Sequence, residues 1–184
     1  MISRRAVILA LAAAASLAAA PPAPPPASAP KFPFKVSRLS GGTIGSEDLK
    51  GKIAVIDVWA TWCGPCRLMI PHLIRMHDKF KSKGVTVVGI NADEKKGEGS
   101  GYEHVKQFVA EKRITYPIGL MDGKTFGDIS KLMGHEPSEG FTMPTTIVVG
   151  RNGDVVMRYG GYFPGQEREL EALIEHLVEP EAKP

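Results

Sequence analysis

The sequence predicts an α/β fold, with one central sheet and helices on both faces. Three observations predict it. Ile53–Val58 and Val85–Asn91 are near-continuous apolar runs, as strands buried on both faces should be. Amphipathic stretches at 3.6-residue spacing follow each of them. Two later segments, Thr145–Val149 and Val155–Tyr159, flank Arg151-Asn152-Gly153-Asp154, whose Asn-Gly is a strong hairpin signal. Strands alternating with helices make a layered sheet.

The chain of 184 residues suffices for one domain with a sizeable core. Its 23 basic and 20 acidic residues nearly balance, and removal of Arg4 and Arg5 with a leader would leave 21 against 20. No basic stripe remains, so nucleic acid is not an expected partner. Residues 1–20 read as an export signal or an N-terminal membrane anchor. A positive start, Ser3-Arg4-Arg5, precedes an apolar run of about 15 residues, shorter than the roughly 20 that spanning takes. Residues 21–33 carry seven prolines among Ala and Ser. Proline lacks an N–H and fixes φ, so this stretch reads as an extended tether. The folded domain is expected over 34–180.

Within it, Phe34–Leu39 and Gly42–Ile44 flank a Ser40-Gly41 turn and read as a hairpin. Ser46–Leu49 looks like one helical turn. A helix is predicted from Pro65 to about Lys83, with Met69, Leu73, Met76 and Phe80 inward and Gly84 as its stop. Residues 92–101 read as a loop. Helices are predicted over Tyr102–Arg113, Thr125–Met133 and Glu167–Val178. No internal repeat is evident.

The only two cysteines lie in Trp62-Cys63-Gly64-Pro65-Cys66, where a buried strand ends and a helix begins. A helix N-terminus presents unpaired N–H groups and partial positive charge. That favours a thiolate, the species that attacks a disulfide. Pro65 suits the first helical turn. Cys63 is therefore expected to be exposed and nucleophilic, and Cys66, one turn in, buried and resolving. Other readings exist. As a structural staple the ring is too small to remove much chain entropy. A zinc site would take His72 and His77, which share the helix with Cys66 and lack a second knuckle. Haem attachment needs His where Arg67 stands. We expect no metal and no organic cofactor, only a redox-active Cys63–Cys66 disulfide. Asp57, a carboxyl inside a buried strand, is expected to have a raised pKa.

Val58-Trp59-Ala60-Thr61-Trp62-Cys63-Gly64-Pro65-Cys66-Arg67, with Pro71 beyond, resembles the thioredoxin superfamily active site. Leu49-Lys50-Gly51-Lys52, the N-terminal hairpin and the long stretch before Pro144 resemble its exported TlpA/ResA branch. The resemblance covers about residues 34–178 and implies a thioredoxin fold: a mixed sheet, a hairpin extension and an insertion before the cis-proline strand. It implies that Met143-Pro144 is that cis-proline, whose neighbouring backbone docks an extended substrate. It implies that Asp57 takes the proton of Cys66. Trp62, Gly64 and Pro65 then complete the substrate-binding rim. One departure is plain: the branch pattern has Glu three residues after the second Cys, and here Met69 stands there. Gly89 takes the place of the thioredoxin-like lysine on the second strand.

The expected activity is dithiol–disulfide exchange on protein substrates, in the periplasm or another extracytoplasmic compartment, by a monomer. The Gly-Pro dipeptide is that of reducing thioredoxins, so reduction is the expected direction. The resemblance implies recharging by a membrane electron donor of the DsbD/CcdA kind, and targets in cytochrome c or oxidase assembly. The rivals are a disulfide-forming oxidant, a Sco-type copper chaperone using His135, and a thiol peroxidase. The chaperone has three residues between its cysteines, not two. The peroxidase wants proline where Ile56 stands.

Overall fold

The computed structural model describes residues 29–97 and 101–179. The expected leader, the tether up to residue 28 and the last residue of the expected domain lie outside the described residues. Among the described residues seven strands form one sheet: β1 (Lys35–Arg38), β2 (Thr43–Gly45), β3 (Ile53–Trp59), β4 (Val85–Asn91), β5 (Ile118–Leu120), β6 (Thr145–Val149) and β7 (Val155–Gly160). Their spatial order is β2-β1-β5-β4-β3-β6-β7. β3 runs parallel to β4 and antiparallel to β6, so the sheet is mixed. Among the described residues there are four α-helices: α1 (Gly64–Phe80), α2 (Glu103–Glu111), α3 (Gly123–Leu132) and α4 (Gln166–Val178). Ser46–Leu49 forms one 3-10 turn, as its sequence predicts.

All seven residues of β3 are buried, because both faces of this strand are covered. Ile53, Val55 and Trp59 pack with Met69, Leu73 and Phe80 of α1 and Leu170 and Ile174 of α4. Ala54, Ile56 and Val58 face the opposite side, with Ile129 of α3 and Phe32 and Phe34. Each fully buried side chain of this size stabilises by about 1.5–3 kcal/mol. α1 keeps its predicted face: Met69, Leu73, Met76 and Phe80 are buried. The chain leaves the helix through a short 3-10 turn closed by Gly84 at φ 78°.

Two sequence expectations need correction. First, residues 30–33 belong to the fold rather than to the tether. Lys31 bridges to Asp154, its ammonium 2.6 Å from that carboxylate, and Phe32 stacks on Phe34 at 5.3 Å. Both rings are buried. The proline pattern hides this aromatic pair. Second, the sequence predicts no strand at β5. The segment has three residues, follows Pro117 and contains Gly119. It is a strand because β4 and β1 both pair with it. A Cβ on Gly119 would stand 2.5 Å from Val36 Cγ2, so only glycine lets β1 lie this close.

The topology fixes the site. β3 ends at Trp59 and α1 begins at Gly64, so the cysteine motif caps the carboxyl end of the central strand. Thr145 pairs with Val58, which brings the start of β6, and Pro144 before it, beside that end.

Candidate active site

Cys63 is the N-cap of α1, with φ −79° and ψ 104°, and Pro65 occupies the first turn. Cys63 and Cys66 form a disulfide with Cα atoms 5.3 Å apart. The backbone N–H of Cys66 donates to Cys63 Sγ at 3.3 Å. This is one of the free N–H groups of the helix start, aimed at the sulfur as the sequence requires. The first turn of α1 contains no acidic residue to oppose a negative sulfur.

The expected exposure of Cys63 is corrected. The residue is only 5% exposed, and Cys66 is fully buried. In the disulfide the first sulfur lies against the helix turn, where Cys66 N–H meets it. The order of access stands, with Cys63 outermost. Around the pair, Trp62 is 62% and Leu68 58% exposed, and Gly64, Pro65 and Arg67 are exposed too. Trp62 thus offers its ring to solvent, whereas Trp59 is core. The Met143–Pro144 bond is cis, as the resemblance implies, with Met143 half-buried and Pro144 buried.

Asp57 is fully buried on the α1 side of the sheet, since it alternates with Val58 and shares its face with Val55 and Trp59. Burial pushes its pKa from 3.8 up to about 7, against a smaller downward pull from the Thr146 hydroxyl. That hydroxyl donates to Asp57 Oδ1 at 3.1 Å. Oδ2 has no protein partner. The carboxyl therefore exchanges its proton near neutral pH.

Sequence reasoning misses a second carboxylate. Asp93, 5% exposed, falls within a stretch that reads as a polar loop. It accepts from Thr61 N–H at 2.7 Å, from Thr61 Oγ1 at 2.5 Å and from Asn91 Nδ2 at 2.7 Å. His104 Nε2 lies 3.5 Å away. Burial works to raise its pKa, but the Thr61 and Asn91 hydrogen bonds, with the His104 charge, hold it below the usual carboxylate value. Thr61 is clamped on its other side by Arg67, whose Nε donates to its carbonyl at 2.9 Å. The loop entering Cys63 is thus fixed before and after the disulfide. The signal available is Asn91-x-Asp93, polar residues at and just past a buried strand's carboxyl end.

The histidines weighed as zinc ligands are engaged elsewhere. His72 Nδ1 lies 2.7 Å from an Arg75 guanidinium nitrogen, and His77 Nδ1 accepts from Val87 N–H on β4. His135 sits after α3 in an exposed turn near Glu139. Among the described residues no group of three or more His, Cys, Asp or Glu could hold a metal ion.

A thioredoxin fold with a cysteine pair at the head of its first long helix defines a class, the thiol–disulfide oxidoreductases. Comparison narrows it. Residues 26–158 match the AhpC/TSA family. The ResA thiol-disulfide oxidoreductase of Bacillus thuringiensis is 31% identical over 144 residues, covering 78% of this chain and 72% of that protein. The chain therefore belongs to the AhpC/TSA family of the thioredoxin superfamily, and within it to the ResA-type thiol-disulfide oxidoreductases. A crystal structure of a DsbF homologue from Corynebacterium diphtheriae has a TM-score of 0.63 and 28% identity, over 80% of this chain and 86% of that one. A thiol:disulfide interchange protein of the thioredoxin family from Chlorobium tepidum has a TM-score of 0.70 at 24% identity, covering 85% of this chain and all of that one, and supports the fold alone.

Proposed function

We propose that this chain reduces disulfides of exported proteins in an extracytoplasmic compartment. One observation carries the reading: a cysteine sulfur sits at the start of α1 with a helix N–H directed at it and an exposed apolar rim around it. The reduced Cys63 thiolate attacks one sulfur of the substrate disulfide, expels the other as a thiolate and forms a mixed disulfide. Cys66 then passes its proton to the Asp57 carboxylate and attacks Cys63 Sγ. The bond between Cys63 and the substrate breaks, and the substrate sulfur it held leaves with the electron pair. Two electrons have moved to the substrate, and the Cys63–Cys66 disulfide remains.

Trp62, Gly64, Pro65 and the Met143–Pro144 backbone form the surface on which an extended substrate segment lies. The Gly-Pro dipeptide supports reduction over oxidation. The leader-like residues 1–20 and the proline tether support export, with the N-terminal segment either cleaved or kept as an anchor. Among the described residues no helix is long and apolar enough to cross a membrane. The oxidised pair needs two electrons back, and a membrane donor of the DsbD/CcdA kind fits that need. The likeness to the ResA relatives supports cytochrome c or oxidase assembly as the setting.

The test is a reduction potential measured against glutathione. A value near −270 mV, where reducing thioredoxins lie, is expected; one near −120 mV would make the chain an oxidant. Cys66→Ala should trap substrates on Cys63 in vivo, and their identity names the pathway.

A further inference from the structure

Asp57, Gly89 and Thr146 form one row across β4, β3 and β6, on the face covered by α1. Thr146 satisfies one oxygen of the Asp57 carboxyl. Three buried polar atoms of this region have no protein partner: Asp57 Oδ2, Trp59 Nε1 and Tyr116 Oη. Trp59 is fully buried and Tyr116 only 3% exposed. Gly89 draws two of these side chains together. A Cβ built there would stand 2.8 Å from Trp59 Nε1 and 3.1 Å from Tyr116 Cε2. Any other residue at 89 would push the indole and the phenol away from the row that contains Asp57.

The three atoms are complementary in kind. An indole N–H only donates, a phenol O–H donates and accepts, and a carboxylate oxygen accepts. One water molecule has two lone pairs for the first two and a hydrogen for the third. Polar sites with three such partners are where internal waters reside.

We propose that Tyr116 is a positioning residue for Asp57: its hydroxyl and the Trp59 indole N–H hold one internal water against the second oxygen of the Asp57 carboxyl. The catalytic part of this inference rests on the reading of Asp57 as acceptor of the Cys66 proton. With Asp57 charged, the water accepts from Tyr116 and Trp59 and donates to Oδ2. With Asp57 protonated, its O–H donates to the water, which turns a hydrogen toward the phenol oxygen. Hydrogen bonds to the charged form keep the carboxyl closer to working pH than burial alone would. The phenol keeps its own proton in both states, because burial, and then the Asp57 charge, push its pKa well above the ordinary value. The other titratable groups described on this side of the sheet are Cys63 and Cys66 at the start of α1, His77 within it, Tyr102 before α2 and Tyr162 before α4; Gly89 of β4 and Thr146 of β6 do not titrate. His77 meets the Tyr116 ring edge-on, with centroids 6.2 Å apart.

Tyr116→Phe removes one oxygen and leaves the ring packing. The experiment titrates Asp57 by carboxyl carbon NMR in the oxidised full-length chain, where the thiols do not titrate. The Asp57 midpoint should rise by about half a pH unit to one in the variant, and the pH profile of mixed-disulfide resolution should move with it. An unchanged midpoint overturns the proposal. A high-resolution crystal structure of the unaltered protein gives a second reading that does not depend on the variant folding. It should show one solvent peak within hydrogen-bond distance of Asp57 Oδ2, Trp59 Nε1 and Tyr116 Oη, and three unpaired atoms without such a peak refute it. Asp57→Asn separates the two ideas. If it resolves mixed disulfides at the normal rate while Tyr116→Phe still shifts the Asp57 midpoint, the base role falls and the water stands.

Discussion

Asp57→Asn should make the oxidised protein more stable in base but not in acid. The physical basis is linkage between proton binding and folding. Burial raises the Asp57 pKa from 3.8 to about 7. A carboxyl that binds its proton more tightly when folded contributes stability that is present below the unfolded pKa and lost as pH rises through the folded one. The window is therefore about pH 4 to about 8. Across it the native state loses up to about 4 kcal/mol, because each pH unit between the two pKa values is worth about 1.36 kcal/mol. That is a large share of the roughly 5–15 kcal/mol that holds a typical domain together. Asparagine has no charge to bury, so the variant escapes the loss. Its amide changes hydrogen bonding equally at all pH values, and this drops out of a difference between two pH values. Urea unfolding of both proteins at pH 4 and pH 9 is the assay. The stability of Asp57→Asn relative to the unaltered chain should improve by several kcal/mol between the two. A pH-independent difference would refute the burial argument. In the reduced enzyme the same variant should resolve mixed disulfides about 10²-fold or more slowly, the usual worth of a general base.

Two further outcomes follow from local geometry. Asp93→Ala leaves the Thr61 N–H and hydroxyl and the Asn91 amide without their acceptor; at about 1–3 kcal/mol for each buried donor, it should destabilise the chain and slow iodoacetamide alkylation of reduced Cys63. Thr61→Val, losing one of these bonds, should show a smaller effect of the same sign, and normal alkylation in both variants would argue against the clamp. Gly119→Ala should cost about 1–3 kcal/mol by thermal unfolding, because its Cβ would meet the Val36 methyl at 2.5 Å; an unchanged melting temperature would mean that β1 is free to shift.

What can be read from the sequence is local. β3, β4, β6, β7 and the four helices announce themselves through periodicity within a single segment, and Cys63 and Cys66 through a strand end and a helix start only residues apart. Asp57 is visible as a charge interrupting an apolar run. Pro144 needs the resemblance, because nothing near residue 144 reveals that β6 begins beside the end of β3. β5 becomes a strand only through its two neighbours, and its glycine and preceding proline argue locally for a loop. Asp93 and Tyr116 are illegible for the same reason. Asp93 reaches Thr61 across 32 positions, and Tyr116 meets Gly89 and Trp59 only after the sheet has formed. Residues 30–33 mislead differently: proline composition argues for a tether, and two alternating phenylalanines outweigh it.

Asp93, which holds the cysteine loop through Thr61, and Asp57, buried within β3, have opposite environments. Asp93 is surrounded by donors, so its charge is stabilised and its pKa falls. It stays ionised at any pH at which thiols react, and can anchor the loop without competing for protons. Asp57 has one protein donor for two oxygens, and burial moves its pKa into the range where thiols lose protons. Pairs of acids pushed apart in this way mark which group holds and which exchanges. The assignment also accounts for Met69, which is fully buried where the related pattern carries Glu. A third carboxyl on α1, packed against the same core, would repel Asp57 and raise both pKa values further. With methionine there, Asp57 is the carboxyl that the proposed mechanism leaves to take the Cys66 proton, and a Met69→Glu variant should displace the Asp57 midpoint upward in the same NMR titration.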